Sequence, residues 1–266
     1  MTTVPIAAPA RRRSFPVGRL RSPLVSLFGL LLGALLWQYI GHHTQQSSFV
    51  PFTDTVRALR HLISDGELGA AFKSSLKLFG VGLALAVAIG FVGGLLLARV
   101  RWLRIALEPY VAAFYATPMV ALIPFILAVF GFEFRAKLIV VVLFGIWPVL
   151  INTVEGARSV NEELIEVAQS YRSSEPQLWW HVIVPYTLPY ALTGVRQAIA
   201  RCLVGMIASE FLLSSSGLGD LIIQNTQRFE TANVLAAVLS MTLLATLLMT
   251  VGRLLENYFA RWKAGS

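Results

Sequence analysis

The residues best placed to do chemistry in this chain are charges set inside apolar runs: Arg196, Arg201 and Glu210 share the stretch from Leu188 to Leu213. A basic side chain at the centre of a bilayer costs about 2.5–3.5 kcal/mol on insertion scales, so each must face a partner, a cavity or an interface. Arg196 lies about two turns into its helix and can snorkel, which makes it structural. Arg201, about 20 Å along, is the better candidate for lining an anion pathway. Glu210, near the other end, is placed to pair with a basic group. Other chemistries find no footing. A phosphate-binding loop needs glycine before its Lys-Ser/Thr so that backbone amides can cradle phosphate, and the nearest imitation, Gly66 to Ser74, has Phe72 there. His42 and His43 are adjacent, which does not put two ligands on one helix face, and they read as interfacial residues rather than a metal site. No nucleophile, base and orienter occur together, and the single Cys202 excludes an internal disulfide and reads as a packing residue.

What positions those charges is a set of membrane spans. Of 266 residues 56% are hydrophobic and 14% charged, and the mean hydropathy is +0.68, the balance of a membrane protein. The net charge of +8 gathers at the ends of apolar segments, not in an aromatic-interleaved stripe, so a nucleic-acid partner is not expected. Six runs are long enough to cross a bilayer, near Leu24–Ile40, Leu76–Ala98, Val111–Phe130, Leu138–Val154, Leu188–Leu213 and Ala232–Val251. The fold class is therefore all-α, a polytopic membrane protein with six transmembrane helices. Pro118, Pro124 and Pro148 interrupt spans three and four and free carbonyls for cavities or helix contacts.

The first run follows Arg11, Arg12, Arg13, Arg19 and Arg21, like the basic region of a signal peptide. Trp37, Gln38, Tyr39 and His42 stand where a small-residue cleavage site belongs, so it reads as an uncleaved anchor. Arg12-Arg13-Ser14-Phe15 is only a faint twin-arginine pattern. Counting Lys/Arg beside the spans gives about thirteen on the side of both termini and about six on the other, which places both termini in the cytoplasm. Residues 1–23 are then a basic cytoplasmic tail, 24–256 the transmembrane domain and 257–266 a cytoplasmic C-terminal tail.

The longest cytoplasmic loop, residues 159–189, breaks the charge bias with several glutamates. Ser159 with Glu162 has capping-box spacing, and Leu164, Val167, Ala168 and Tyr171 repeat at three and four residues, predicting a helix from Val160 to Tyr171. Ser174 with Gln177 repeats the signature, and Leu178, Trp179 and Val182 form a second stripe that Pro185 ends. Helices that lie on a membrane surface are basic on their polar face, whereas this loop is acidic, so its apolar stripe fits a protein partner better.

The loop resembles the E-A-A-x-x-x-G-x(9)-I-x-L-P signature of permease subunits in binding-protein-dependent ABC importers, with Glu166, Val167, Ala168, Arg172, Val182, Val184 and Pro185 at the matching positions. The likeness runs from about residue 50 to 262, through Ala116–Phe132, Ile151–Val160, Gly194–Arg201 and Ser209–Ile222, and is similar to the nitrate, sulfonate, taurine and bicarbonate branch. The resemblance implies a coupling loop at Leu164, Glu166, Val167, Ala168, Tyr171, Arg172 and Pro185 that docks on a cytoplasmic ABC ATPase. It also implies an extracytoplasmic solute-binding protein, which Glu210 would be placed to meet, and a homodimer in the lipid of the bacterial inner membrane. Ser214–Gly219 becomes a flexible, gate-proximal turn, which with Arg201, Glu210, Ser216, Gly217 and Gly219 makes the candidate pathway or gate. ATP is used by the partner subunit; the chain itself binds no cofactor or metal and is not an enzyme.

Two residues depart from the signature: Val167 replaces its second alanine, and Arg172 replaces its glycine. A glycine between two helices supplies a left-handed conformation that costs another residue about 1 kcal/mol. Arg172 either carries that strain, changes the angle between the helices, or marks an ATPase with an acidic complement; the first requires least. The solute implied is a small anion, with a thiamine precursor or other heterocycle as the alternative. A secondary transporter or channel without an ATPase leaves the acidic loop unexplained.

Overall fold

The computed structural model describes residues 21–44, 49–212 and 216–260. The described residues form helices and no strand, in two units, Met1–Asp54 and Thr55–Ser266. In the first unit, helix α1 (Arg21–His43) is apolar all round, as a lipid-facing helix is. The chain then folds back: Trp37 Nε1 donates to the Val50 carbonyl at 3.0 Å, and Gln38 Oε1 accepts from Thr53 N–H at 3.0 Å. His42 and His43 are engaged locally, by Gln38 Nε2 at 2.8 Å and the Tyr39 carbonyl at 2.9 Å. Helix α2 (Phe52–Ser64) leads into the second unit.

Among the described residues, five helical stretches are long and apolar enough to cross a membrane: Val25–His43, Glu67–Arg99, Phe134–Arg158, Glu175–Leu212 and Thr231–Leu254. A sixth is a broken pair, α4 (Arg101–Ala116) and α5 (Ile123–Phe130), joined through a short 3-10 turn and bent by 95°. The single span expected near Val111–Phe130 is thus corrected. Pro118 excludes helical geometry from Thr117, which is extended at φ −67°, ψ 136°. Pro124 stands in the first turn of α5, where its missing N–H costs nothing. Pro148 does not interrupt its helix as expected: α6 (Phe134–Arg158) runs unbroken through it.

Helices α3 (Glu67–Arg99), α6 and α9 (Val184–Leu212) interlock. Lipid supplies no hydrophobic drive between helices, so backbones close on one another where residues are small. A Cβ added at Gly90 would stand 2.8 Å from the Ile146 carbonyl oxygen, and one at Gly194 would stand 2.8 Å from that of Pro148. Around these contacts Leu78, Phe79, Val141, Ile199, Cys202 and Met206 form one apolar cluster. Helices α10 (Leu218–Gln227) and α11 (Thr231–Ala260) share another, in which Leu218, Leu221 and Ile222 meet Ala236, Ala237 and Met241.

Candidate functional site

Apart from Arg201, the expected site residues within the described structure gather at opposite ends of α3. Its Arg99 reaches the loop between α6 and α9, and its Ser74 and Ser75 reach the start of α10. At about 1.5 Å per residue the two ends stand about 36 Å apart.

At the loop end, α7 covers Glu162–Ser170, two residues shorter at the start than expected. The cap is Asn161, whose side chain accepts from Glu163 N–H at 3.1 Å. Ser159 instead donates to the Gly156 carbonyl at 3.0 Å, closing the end of α6. Leu164, Val167 and Tyr171 are exposed to 44%, 54% and 83%, with Glu166 exposed beside them and Ala168 half-buried. The apolar stripe is therefore left uncovered among the described residues.

The turn that follows is closed by two hydrogen bonds. Arg172 N–H donates to the Gln169 carbonyl at 2.8 Å and Ser173 N–H to that of Ala168 at 3.1 Å. This reciprocal pair is the helix stop that ordinarily demands glycine. Arg172 adopts it at φ 56°, so the arginine carries the left-handed strain.

The second loop helix, α8 (Glu175–Leu178), starts as predicted, with Gln177 Oε1 accepting from Ser174 N–H at 2.8 Å. It does not stop at Pro185. A π turn over Trp179–Ile183 carries it directly into α9. Val184 N–H donates to the Trp179 carbonyl five residues back, and this wider spacing takes up the missing N–H of Pro185 within a continuous helix. Arg99 ties this junction to α3, 3.2 Å from Glu175 and 5.6 Å above the centre of the Trp179 ring. The sequence gives Arg99 only a topological role; its structural one lies across 76 residues.

At the far end Glu210 is 1% exposed, so in this conformation it faces the interior and meets no docking surface. Oε1 accepts from Ser75 Oγ at 2.6 Å and Oε2 from Gly219 N–H at 2.9 Å. Ser75 Oγ in turn accepts from Leu218 N–H at 2.9 Å, so the carboxylate caps the amino end of α10 both directly and through a hydroxyl. Lys137, 2% exposed near the start of α6, donates to the Ser216 carbonyl at 3.2 Å. Ser74 Oγ donates to Ser216 Oγ at 3.0 Å. Gly217 has φ 111°, and a Cβ on it would collide with the Glu210 carboxylate. Gly219 is held as tightly, with a Cβ position 2.6 Å from Glu210 Cβ. Ser214 and Ser215, expected in the gate turn, lie outside the described residues. Ser75 and Lys137 are the functional candidates the sequence reading missed; a lysine at the head of the apolar stretch Leu138–Leu143 was the available signal.

Between the ends, Arg201 is half-buried on α9 with its guanidinium 4.3 Å above the centre of the Tyr115 ring on α4. The neighbouring Phe114 stacks on Trp147 of α6 at 5.3 Å, and Trp147 Nε1 is buried with no hydrogen-bond partner among the described residues. Arg196 is exposed.

Residues 81–264 match the family described as binding-protein-dependent transport system inner membrane component. The chain is 37% identical to the riboflavin transport system permease protein RibX of Chloroflexus aurantiacus over 63% of this chain, and the match spans 62% of that relative's length. It is 30% identical to the putative aliphatic sulfonates transport permease protein SsuC of Bacillus subtilis over 88% of this chain and 87% of the relative. These relatives are transport components, not enzymes. Among solved structures, the crystal structure of an amino acid ABC transporter with histidines shares the fold, with a TM-score of 0.56 and 20% identity over 79% of this chain and 99% of that one.

Proposed function

Because the chain belongs to the family of inner-membrane components of binding-protein-dependent transport systems, we propose that it lines the pathway of an ATP-driven importer for a small solute. Two copies form the channel, an ABC ATPase docks beneath each, and a solute-binding protein delivers solute from outside. Both termini face the cytoplasm, a reading carried by the distribution of arginines and tested by reporter fusions to the C-terminus. The observation that carries the importer reading is the uncovered stripe of Leu164, Val167 and Tyr171 beside Glu166. An apolar face too small to bury itself, next to an acceptor for charge-assisted hydrogen bonds, is suited to a cleft on a partner. Closure of the ATPase pair would push this loop, and the junction at Arg99 and Glu175 would pass the displacement to α3 and α9.

The solute is a small anion such as nitrate, a sulfonate, taurine or bicarbonate. Arg201 supports this, as a half-buried cation held on an aromatic ring within a span. A second reading, a planar heterocycle, is favoured by the Phe114–Trp147 stack and the unpartnered indole N–H, which would serve a flat solute bearing an acceptor. Reconstitution with the ATPase and binding protein in vesicles, assayed separately with a radiolabelled alkanesulfonate and with riboflavin, tests both. ATP-dependent uptake of the sulfonate alone supports the anion, and of riboflavin alone the heterocycle. Uptake that proceeds without ATPase or ATP would sink the importer.

A further inference from the structure

Lys137 and Glu210 are opposite charges withdrawn almost completely from solvent, at 2% and 1% exposure. They contact residues only three positions apart, Ser216 and Gly219, and the cavity beside that segment carries a third charged residue, Asp220. Yet the polar contacts described for them all go to other groups, and no direct ion pair joins them. Both instead hold one short segment, Ser216–Gly219. The cation takes the Ser216 carbonyl, whereas the anion takes the Gly219 N–H and, through Ser75 Oγ, the Leu218 N–H. The peptide groups are thus turned with acceptor toward Lys137 and donors toward Glu210.

A buried charge stripped of its partner is strongly destabilising. Withdrawing the segment would take the Ser216 carbonyl from Lys137 and the Gly219 N–H from Glu210, leaving the carboxylate only Ser75 Oγ, but these two charges have opposite signs and can satisfy each other. We propose that Ser216–Gly219 is a strap with two stable positions: seated as observed, and withdrawn, with Lys137 and Glu210 joined as an ion pair. Exchange between the positions opens the far end of the pathway to solute, a step that rests on the importer reading. Both end positions satisfy the charges and the route between them does not, which makes the element a switch rather than a spring.

The surroundings suit this movement. The three anchors Ser75, Lys137 and Glu210 sit on α3, α6 and α9, which interlock through backbone contacts, whereas the strap leads into α10 and its shared cluster with α11. A cavity of about 300 Å³, lined by Ser74, Ser216, Gly217, Asp220 and Gln224, adjoins the strap and gives it room. The anchoring hydroxyls and amides can exchange their bonds for water entering there.

The test is a cross-link. Ser74 Oγ and Ser216 Oγ are 3.0 Å apart, so a Ser74→Cys/Ser216→Cys chain places two sulfurs within disulfide reach; the native Cys202 is buried. In vesicles with ATPase and binding protein, ATP-driven uptake by the oxidised chain should be at least about tenfold below that of the same sample after reduction. Equal uptake with the disulfide formed would overturn the strap, and so would failure of the two thiols to join. Lys137→Met supplies a second measurement, because it removes the withdrawn partner of Glu210 while leaving the donors from Ser75 and Gly219. Uptake should fall and Lys137→Arg should restore it; full uptake by the methionine variant would overturn the proposal. If the unsubstituted chain shows no ATP-driven uptake at all, the importer reading falls and takes the strap with it, an outcome distinct from loss confined to the variants.

Discussion

The two ends of α3 terminate in opposite kinds of surface. At the loop end the apolar side chains of Leu164, Val167, Tyr171 and Trp180 stand exposed, and the polar groups around them are exposed too. At the far end two charges are buried and each is hydrogen-bonded. Local backbone chemistry does not make the difference. Each end has a helix closed by the same reciprocal stop with a non-glycine residue left-handed, Arg172 at φ 56° after α7 and Phe229 at φ 60° after α10. What differs is who completes the surface. On the proposed function, the apolar stripe left uncovered in the loop outside the spans is an interface for another chain, whereas the far end satisfies its own polar groups out of water. Substitutions should therefore fail differently: at the loop end by loss of a partner from an intact fold, at the far end by loss of the fold or of its movement.

Ala168→Arg should break the comparison most visibly. It puts bulk and an unpaired charge into a desolvated contact, so association with the ATPase should weaken at least about 100-fold while membrane insertion and thermal stability stay near normal. Co-purification of the ATPase with the variant at normal yield, together with normal uptake, would falsify the stripe as an interface. Glu210→Ala should do the reverse. It removes the acceptor of Ser75 Oγ and of Gly219 N–H, each costing about 1–3 kcal/mol when left buried and unpaired, and the detergent-solubilised chain should melt well below the parent. Melting at the parent's temperature would mean that the far end is not the closed network described. Arg201→Leu lies between these cases: uptake should drop about tenfold with docking and melting unchanged, and unaltered uptake kinetics would reduce the residue to packing on Tyr115. Arg172→Gly should be the mildest, relieving about 1 kcal/mol of left-handed strain. A small rise in melting temperature is expected, and a fall would show that the arginine side chain makes a contact worth more than the strain.

The same contrast explains what could be read from the chain before its structure. The loop end is written locally. Capping residues, three-and-four spacing and a turn at Arg172 all lie within a few residues of the groups they act on, so the two helices and the left-handed arginine were legible. The errors there were local as well: Asn161 outcompetes Ser159 as cap, and a π turn carries the chain past Pro185. Pro118 announced a disturbance in the third span, but the 95° bend follows from how α5 packs through Ile123 and Ile126 against Val140 and Phe144. That packing is tertiary. The far end was mostly illegible for the same reason. Ser75 bonds to Glu210 across 135 residues and to Leu218 across 143, distances over which no periodicity carries a signal. Glu210 could be singled out because a carboxylate in an apolar run is costly; Ser75 resembles any serine near a helix start.

The glycine contacts that lock α3, α6 and α9 together also make them a lever. The 25 residues of α6 extend about 37 Å at 1.5 Å per residue. Turned as one stiff body by about 5° at the loop, that length carries its other extremity through about 3 Å. The travel is comparable to the 3.2 Å contact between Lys137 and the Ser216 carbonyl. On the proposed importer reading, a small angular input at one end of α6 would be enough to part a single hydrogen bond at the other.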